Sequence, residues 1–296
     1  MGSNSSRDFG DITIVGVGLL GGSLGLAVKA VRPGARIVGV GHRRSSLDEA
    51  LAVGAADAVT LDAAEGVKTA DLVILCTPVG LFEPLLRQMA PALKPRCVVT
   101  DVGSTKAGVV RTAERILRDR AAFVGSHPIA GSERRGVSFA RGDLFAGKTC
   151  ILTPTARTPS AALKRVDRFW NELGMRTVQM TPARHDRALA RVSHLPHALA
   201  ALLVNVQNAD DLDLAGTGFI DTTRIAGGDP VMWRDICLTN RKALDTALAG
   251  YVKHVDKLRK SLAEGDGAAL ERIFARAQAT RGEMLDKRLR QKRIEG

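Results

Sequence analysis

The stretch that most narrows the possible folds is Gly16-Val17-Gly18-Leu19-Leu20-Gly21, because a strand runs into it and a helix runs out of it. Asp11 to Val15 is a short apolar run of strand type, and Leu20 to Val31 has the apolar character of a helix that packs on a sheet. In that setting GxGxxG is the fingerprint of a dinucleotide-binding βαβ unit. Gly16 permits the tight turn, Gly18 lets the backbone approach a pyrophosphate, and Gly21 lets the helix pack closely on the strand. The helix start, with Leu19 and Leu20, offers free N–H groups and a positive dipole end to an anion.

The end of the second strand, Arg36 to Val40, bears on which dinucleotide this is. An NAD site places Asp or Glu there to accept from the ribose hydroxyls. Here the chain reads Gly41-His42-Arg43-Arg44-Ser45-Ser46, with no acid. Guanidinium groups grip a phosphate bidentately, so His42, Arg43, Arg44 and Ser45 are expected to hold the 2′-phosphate of NADP, with NAD possible. The alternative is a solvated basic turn ahead of a helix at Leu47.

The alternation continues. Strands are expected at Asp71–Cys76, Arg96–Thr100, Ala121–Gly125, Lys148–Leu152 and Arg176–Met180, with helices from about Leu81, at Ala107–Arg118 and at Pro159–Leu173. Thr77 and Pro78, at a strand end, join the expected cofactor site. After Thr181-Pro182 the pattern turns helical: a long helix from His185 to Gln207, broken or bent near Pro196, then helices at Val231–Ala263 and Gly267–Arg290. The expected fold is α/β, an N-terminal Rossmann-type doubly wound parallel sheet over residues 1–182. An all-helical domain for substrate binding and dimerisation follows over 183–296. Its apolar faces exceed what one small bundle can bury, which predicts a homodimer.

Composition excludes little and supports this reading. The net charge of +12 raises the possibility of nucleic acid, yet Lys287, Arg288, Arg290, Lys292 and Arg293 crowd the last ten residues, and aromatics are only 4%, so no stacking platform is expected. No apolar run reaches the roughly 18 residues of a membrane span, and the polar start lacks a signal-peptide core; a cytoplasmic protein is expected. Cys76, Cys97, Cys150 and Cys237 form no CxxC pair, and no metal site is expected.

Ser126-His127-Pro128-Ile129-Ala130-Gly131 follows the run that ends at Gly125, so His127 is expected in a loop at the cleft end of a strand. It stands with Asp101-Val102-Gly103-Ser104-Thr105-Lys106, His185-Asp186, Ser193-His194-Leu195-Pro196-His197, Phe219-Ile220-Asp221-Thr222-Thr223-Arg224 and Asp229-Pro230-Val231-Met232-Trp233. In this order and spacing, from about Asp11 to Met284, these stretches closely resemble the prephenate/arogenate dehydrogenase family of tyrosine biosynthesis. The resemblance implies oxidative decarboxylation of a cyclohexadienyl substrate with hydride transfer from its C4 carbon. It implies that His127 takes the C4 hydroxyl proton, that Ser104 holds that hydroxyl and the nicotinamide in register, and that Arg224 binds a substrate carboxylate. His185, His194, His197, Glu133 and Trp233 match positions that line or close the site. The acid-free Gly41-His42-Arg43-Arg44 segment departs from many members, and the absence of appended segments predicts a single-function enzyme.

The residue types suit that chemistry independently. A hydroxyl carbon that gives up hydride needs its proton accepted as the carbonyl forms, and a neutral imidazole does this near neutral pH. Two rivals stand beside it. A β-hydroxyacid dehydrogenase or imine reductase would carry a catalytic lysine on the apolar helix, but residues 188–211 contain none. A non-catalytic NADP-sensing or nucleic-acid-binding protein would explain the charge and leave the histidines without a role.

Overall fold

A computed structural model describes residues 9–131 and 134–295, without the side chains of 288 and 291–295. Eight strands form one sheet in the order β3-β2-β1-β4-β5-β6-β7-β8. They are β1 Asp11–Val15, β2 Arg36–Val40, β3 Ala58–Thr60, β4 Leu72–Leu75, β5 Val98–Asp101, β6 Ala122–Pro128, β7 Thr149–Thr153 and β8 Arg176–Gln179. The first six run parallel, β7 is antiparallel to β6, and β8 is parallel to β7. The sheet is thus mostly parallel, as expected, and mixed at its far edge. The order reverses between β1 and β4, which is where doubly wound sheets open a crevice for ligand.

The strands are apolar on both faces because helices cover both. Along β4, Leu72 and Ile74 join a core with Leu24 and Val28 of α1 (Leu19–Val31), Leu47 of α2 (Arg44–Ala52), and Phe169 and Trp170 of a helix over Ser160–Glu172. Val73 and Leu75 face the other way, onto Phe82, Leu86 and Met89 of a helix over Phe82–Met89 and onto Val109 and Val110 of a helix over Ala107–Ile116. That alternation is the two-residue period of a strand buried on both sides. Each such side chain taken fully from water contributes roughly 1.5–3 kcal/mol. A short helix at Ala63–Gly66 follows β3, so the helices after α2 are α3 Ala63–Gly66, α4 Phe82–Met89, α5 Ala107–Ile116 and α6 Ser160–Glu172.

Helix α7 (Pro182–Leu189) starts where Thr181 caps it, its side chain accepting from the Arg184 N–H at 3.2 Å. It packs against α5 and β7. The helix expected from His185 to Gln207, broken or bent near Pro196, is α7, a π-helical turn at Ala190–His194, and α8 Leu195–Asn205, so the interruption falls just ahead of Pro196. Then come α9 Ala209–Leu212, α10 Thr217–Thr223, a 3-10 turn at Arg224–Gly227, α11 Pro230–Thr239, α12 Arg241–Ala263 and α13 Gly267–Glu295. The expected Val231–Ala263 helix breaks at Asn240, whose side chain is used elsewhere. The chain divides into two compact units, Met1–Leu244 and Asp245–Gly296, the second wholly helical among its described residues. In it Gly265, at φ 64°, ends α12 and Asp266 caps α13, accepting from the Ala269 N–H at 2.9 Å. No helix among the described residues is long and apolar enough to cross a membrane.

Candidate active site

A cleft of about 530 Å³ lies at the C-terminal ends of β1, β4 and β5, lined there by Gly18, Leu19, Leu20, Thr77, Pro78 and Ser104. The loop after β6 contributes Ala130, Gly131, Arg134 and Arg135, and Asp229, Val231, Met232 and Ile236 close the helical side. Arg135 reaches Asp229 at 2.5 Å, and Asp229 also caps α11 by accepting from the Met232 N–H at 2.6 Å. The loop that follows His127 is thus fastened to the helical wall of the cleft.

The nucleotide end has the shape that a dinucleotide needs. Gly16 sits at φ 101°, in the left-handed region. A Cβ on Gly21 would lie 2.0 Å from the Gly16 carbonyl, whereas one on Gly18 would meet nothing within 4 Å. Gly21 is therefore needed for packing, and Gly18 keeps clear the space beside the start of α1. Thr77 adds a buried hydroxyl with no protein partner facing the same cleft. These features fit a bound dinucleotide. His42, Arg43, Arg44 and Ser45 do not line the cleft; they are exposed at the start of α2, beyond the end of β2, which pairs with β1. Arg44 is tied to Asp48 at 2.9 Å, and Arg43 donates to the neighbouring His42 ring at 3.0 Å.

His127 lies within β6, not in the loop beyond it: its partner across the antiparallel ladder is Ile151. The ring is 9% exposed, and its Nδ1 is 2.9 Å from His185 Nε2. His185, fully buried, places Nδ1 2.8 Å from Asp186 Oδ1. The carboxylate in turn accepts the backbone N–H groups of Lys106 at 2.7 Å and Ala107 at 2.8 Å, at the N-terminus of α5. Next to this chain, Lys106 and Asp101 form an ion pair with no exposed surface. Asp101 also accepts from the Gly103 N–H at 2.9 Å and the Ser126 N–H at 3.0 Å. Asp101 thus fastens the segment that carries Ser104 to the strand that carries His127, and Asp186 fastens the same segment to α7.

Burial, with help from His185, Lys106 and His194, pushes the His127 pKa well below its ordinary value. Burial lowers His185 too, against the pull of Asp186. Although burial works against it, the bonds from His185, Ala107 and Lys106 hold the Asp186 carboxyl below the usual carboxylate range. Both rings are neutral and the carboxylate is charged at physiological pH.

The helical side brings a second group together. His197 stacks on Trp233, ring centroids 3.9 Å apart, and His194 meets the same indole edge-on at 6.2 Å. His197 Nδ1 donates to the Ser193 carbonyl at 2.8 Å, while His194 Nδ1 accepts from Asn240 at 3.0 Å. Asn240 also donates to the Asp186 carbonyl at 2.8 Å, so the break between α11 and α12 is stitched to the relay. Arg224 is exposed, at the start of the 3-10 turn, and its guanidinium helps burial lower the His197 pKa. Burial lowers His194 to about 4.

Most of the expected residues thus fall into three groups: the glycine loop with Thr77, Pro78 and Ser104; the His127 relay; and the His194–His197–Trp233–Arg224 cluster. His185 is a correction: with no exposed surface and both ring nitrogens engaged, it cannot touch substrate. Glu133 lies outside the described residues. Sequence reasoning gave no role to Asp186, Asn240 or the Lys106–Asp101 pair. Asp186 had a signal, adjacency to a histidine, but Asn240 had none.

A Rossmann-type dinucleotide cleft beside a neutral buried imidazole, walled by a helical segment, defines a nicotinamide-nucleotide-dependent dehydrogenase. Comparison with known proteins narrows the class. Residues 24–179 match the family model for the nucleotide-binding domain of prephenate dehydrogenase, and residues 181–276 match the model for its dimerization domain. A cyclohexadienyl dehydrogenase of Zymomonas mobilis is 35% identical over 92% of this chain and 95% of its own length. The prephenate dehydrogenase of Aquifex aeolicus, solved with hydroxyphenyl propionate and NAD+, superposes with a TM-score of 0.86 at 36% identity, covering 93% of this chain and 98% of that one. An arogenate dehydrogenase of Synechocystis gives 0.79 at 31% identity, covering 92% and 99%. The chain belongs to the prephenate dehydrogenase family.

Proposed function

We propose that this protein oxidatively decarboxylates prephenate, arogenate or both, with NADP as the preferred acceptor and His127 as the base. The observation that carries this reading is His127 itself, an imidazole held neutral at the sheet's ligand-binding end. When bound, the nicotinamide supplies the hydride acceptor. His127 Nε2 takes the C4 hydroxyl proton as the carbonyl forms, and the protonated ring can return it once loss of the ring carboxylate as CO2 makes the ring a phenol. Ser104, on the cleft wall, holds that hydroxyl in register. Arg224 grips a substrate carboxylate, and His194, His197 and Trp233 wall the same side.

Gly16, Gly18, Leu19, Leu20 and Gly21 hold the pyrophosphate, with Thr77 and Pro78 beside the dinucleotide. Arg43 is the residue best able to meet a 2′-phosphate, since Arg44 already has Asp48. The nucleotide half ends near residue 182, and the helical half forms a homodimer through exposed side chains such as Val192, Val206, Leu214 and Leu238. The test is product formation from each substrate with each cofactor, following the reduced nicotinamide and the phenolic product. Turnover of neither prephenate nor arogenate would remove the reading; faster turnover with NAD would remove only the cofactor preference.

A further inference from the structure

We infer that Asp186 and His185 are positioning residues that fix the tautomer of His127, keeping its proton on Nδ1 and its lone pair on Nε2. The inference rests on the reading of His127 as the base and assigns a role to two residues that the substrate never meets. It follows from donor and acceptor capacity along one chain of contacts. Asp186 receives two backbone N–H bonds at the start of α5, at 2.7 and 2.8 Å, which favour its ionised form. An ionised carboxylate only accepts, so the 2.8 Å contact requires His185 to donate from Nδ1. Neutral His185 then has its lone pair on Nε2, and the 2.9 Å contact requires His127 to donate from Nδ1. One charge, two rings away, thereby decides which nitrogen of His127 is free to accept a proton.

The surroundings leave that direction unopposed. The charged or titratable groups acting on the two rings are Lys106 and Asp101 from the β5–α5 segment, Asp186 on α7 and His194 on the π-helical turn; Cys150 on β7 meets the His127 backbone. Lys106 is paired with Asp101, and burial holds the Cys150 thiol protonated. When His127 gains a proton at Nε2, its Nδ1–H stays on the bond to His185; no proton travels along the chain and Asp186 stays ionised.

The test reads the tautomer directly. With ¹⁵N-histidine-labelled full-length protein near neutral pH, long-range ¹H–¹⁵N correlation should show His127 protonated on Nδ1, and in His185→Phe it should shift toward the Nε2–H form. In His185→Phe and Asp186→Asn, kcat should fall by about 10²–10⁴-fold, the range that general-base catalysis is worth, with KM within about threefold of wild type. Thermal melts establish that the variants fold. Wild-type His127 protonated on Nε2 would overturn the inference even if neither variant folds, and so would folded variants that keep more than half of wild-type kcat. His127→Asn separates the two levels: loss of turnover there but not in the other variants sinks this inference alone, and full turnover there sinks the function reading beneath it.

Discussion

When the pH falls from about 8 to about 5, His194 in the unfolded chain takes up a proton that the folded chain refuses. The folded ring is 1% exposed, its Nδ1 accepts from Asn240, and burial sets its pKa at about 4 against an ordinary 6.5. The sign follows from linkage: between those values the unfolded state binds more protons, so stability rises with pH and is lost as pH falls below 6.5. The full gap, at 1.36 kcal/mol per pH unit, is about 3 kcal/mol, and about 2 kcal/mol of it is gone by about pH 5. His127 and His185 push the same way, so the useful quantity is a difference between proteins. His194→Gln removes this titration alone. Urea unfolding at equal protein concentration should show wild type losing about 2 kcal/mol more than the variant over that pH range. A histidine ¹H–¹³C titration should place one ring near pH 4. If the two proteins lose stability in parallel, or if that ring titrates near its ordinary value, the burial argument for the whole histidine cluster is wrong.

Four further outcomes are expected. His127→Asn should lower kcat by about 10²–10⁴-fold with KM nearly unchanged, and the acid limb of wild-type log kcat/KM should lie below the ordinary histidine value because burial lowers His127. Arg224→Ala should instead raise KM, by about 1.5–3 kcal/mol or roughly ten- to a hundredfold, because a carboxylate grip acts in ground and transition states alike; steady-state kinetics on both variants would show whether the split fails. Arg43→Glu should narrow or reverse the NADP preference, read as the ratio of kcat/KM for the two cofactors, and an unchanged ratio would clear Arg43 of the role. Light scattering at micromolar concentration should give a dimer, and a clean monomer would refute it.

The parts of this structure that were plain in the sequence are those governed by local rules. β1 and β2 fall where their apolar runs end, and Gly16 and Gly21 of the nucleotide loop each have a geometric reason to be glycine. β3 and α3 escaped notice because a three-residue strand and a four-residue helix carry too little pattern to outweigh the loops around them. The antiparallel β7 was hidden for a different reason, since an apolar strand reads alike in either direction and only its partner decides. His127 was misplaced by a few residues because β6 runs on through a polar Ser-His-Pro segment. There, pairing with β7 and the bonds from Ser126 to Asp101 make up for the missing apolar side chains.

The relay was the least legible part, and the reason lies in how its members are brought together. Asp186 is beside His185 in sequence, but its usefulness depends on the start of α5, some 80 residues away, whose unpaired N–H groups need an acceptor. Asn240 is more distant still. It ends α11, and its one amide group satisfies both the Asp186 carbonyl and His194 Nδ1. The π-helical turn at Ala190–His194 belongs to the same arrangement. An extra residue in one turn shifts the facing of all that follows, and here it lies between the relay on α7 and the Trp233 cluster that α8 joins through His197. A regular helix from His185 to Gln207 would turn the two groups to a different relative facing. The turn costs backbone regularity in isolation, and Asn240 and Trp233 hold the His194 that ends it. Such irregularities are therefore where local pattern says least, and in this chain they coincide with the residues to which the proposed function assigns the chemistry.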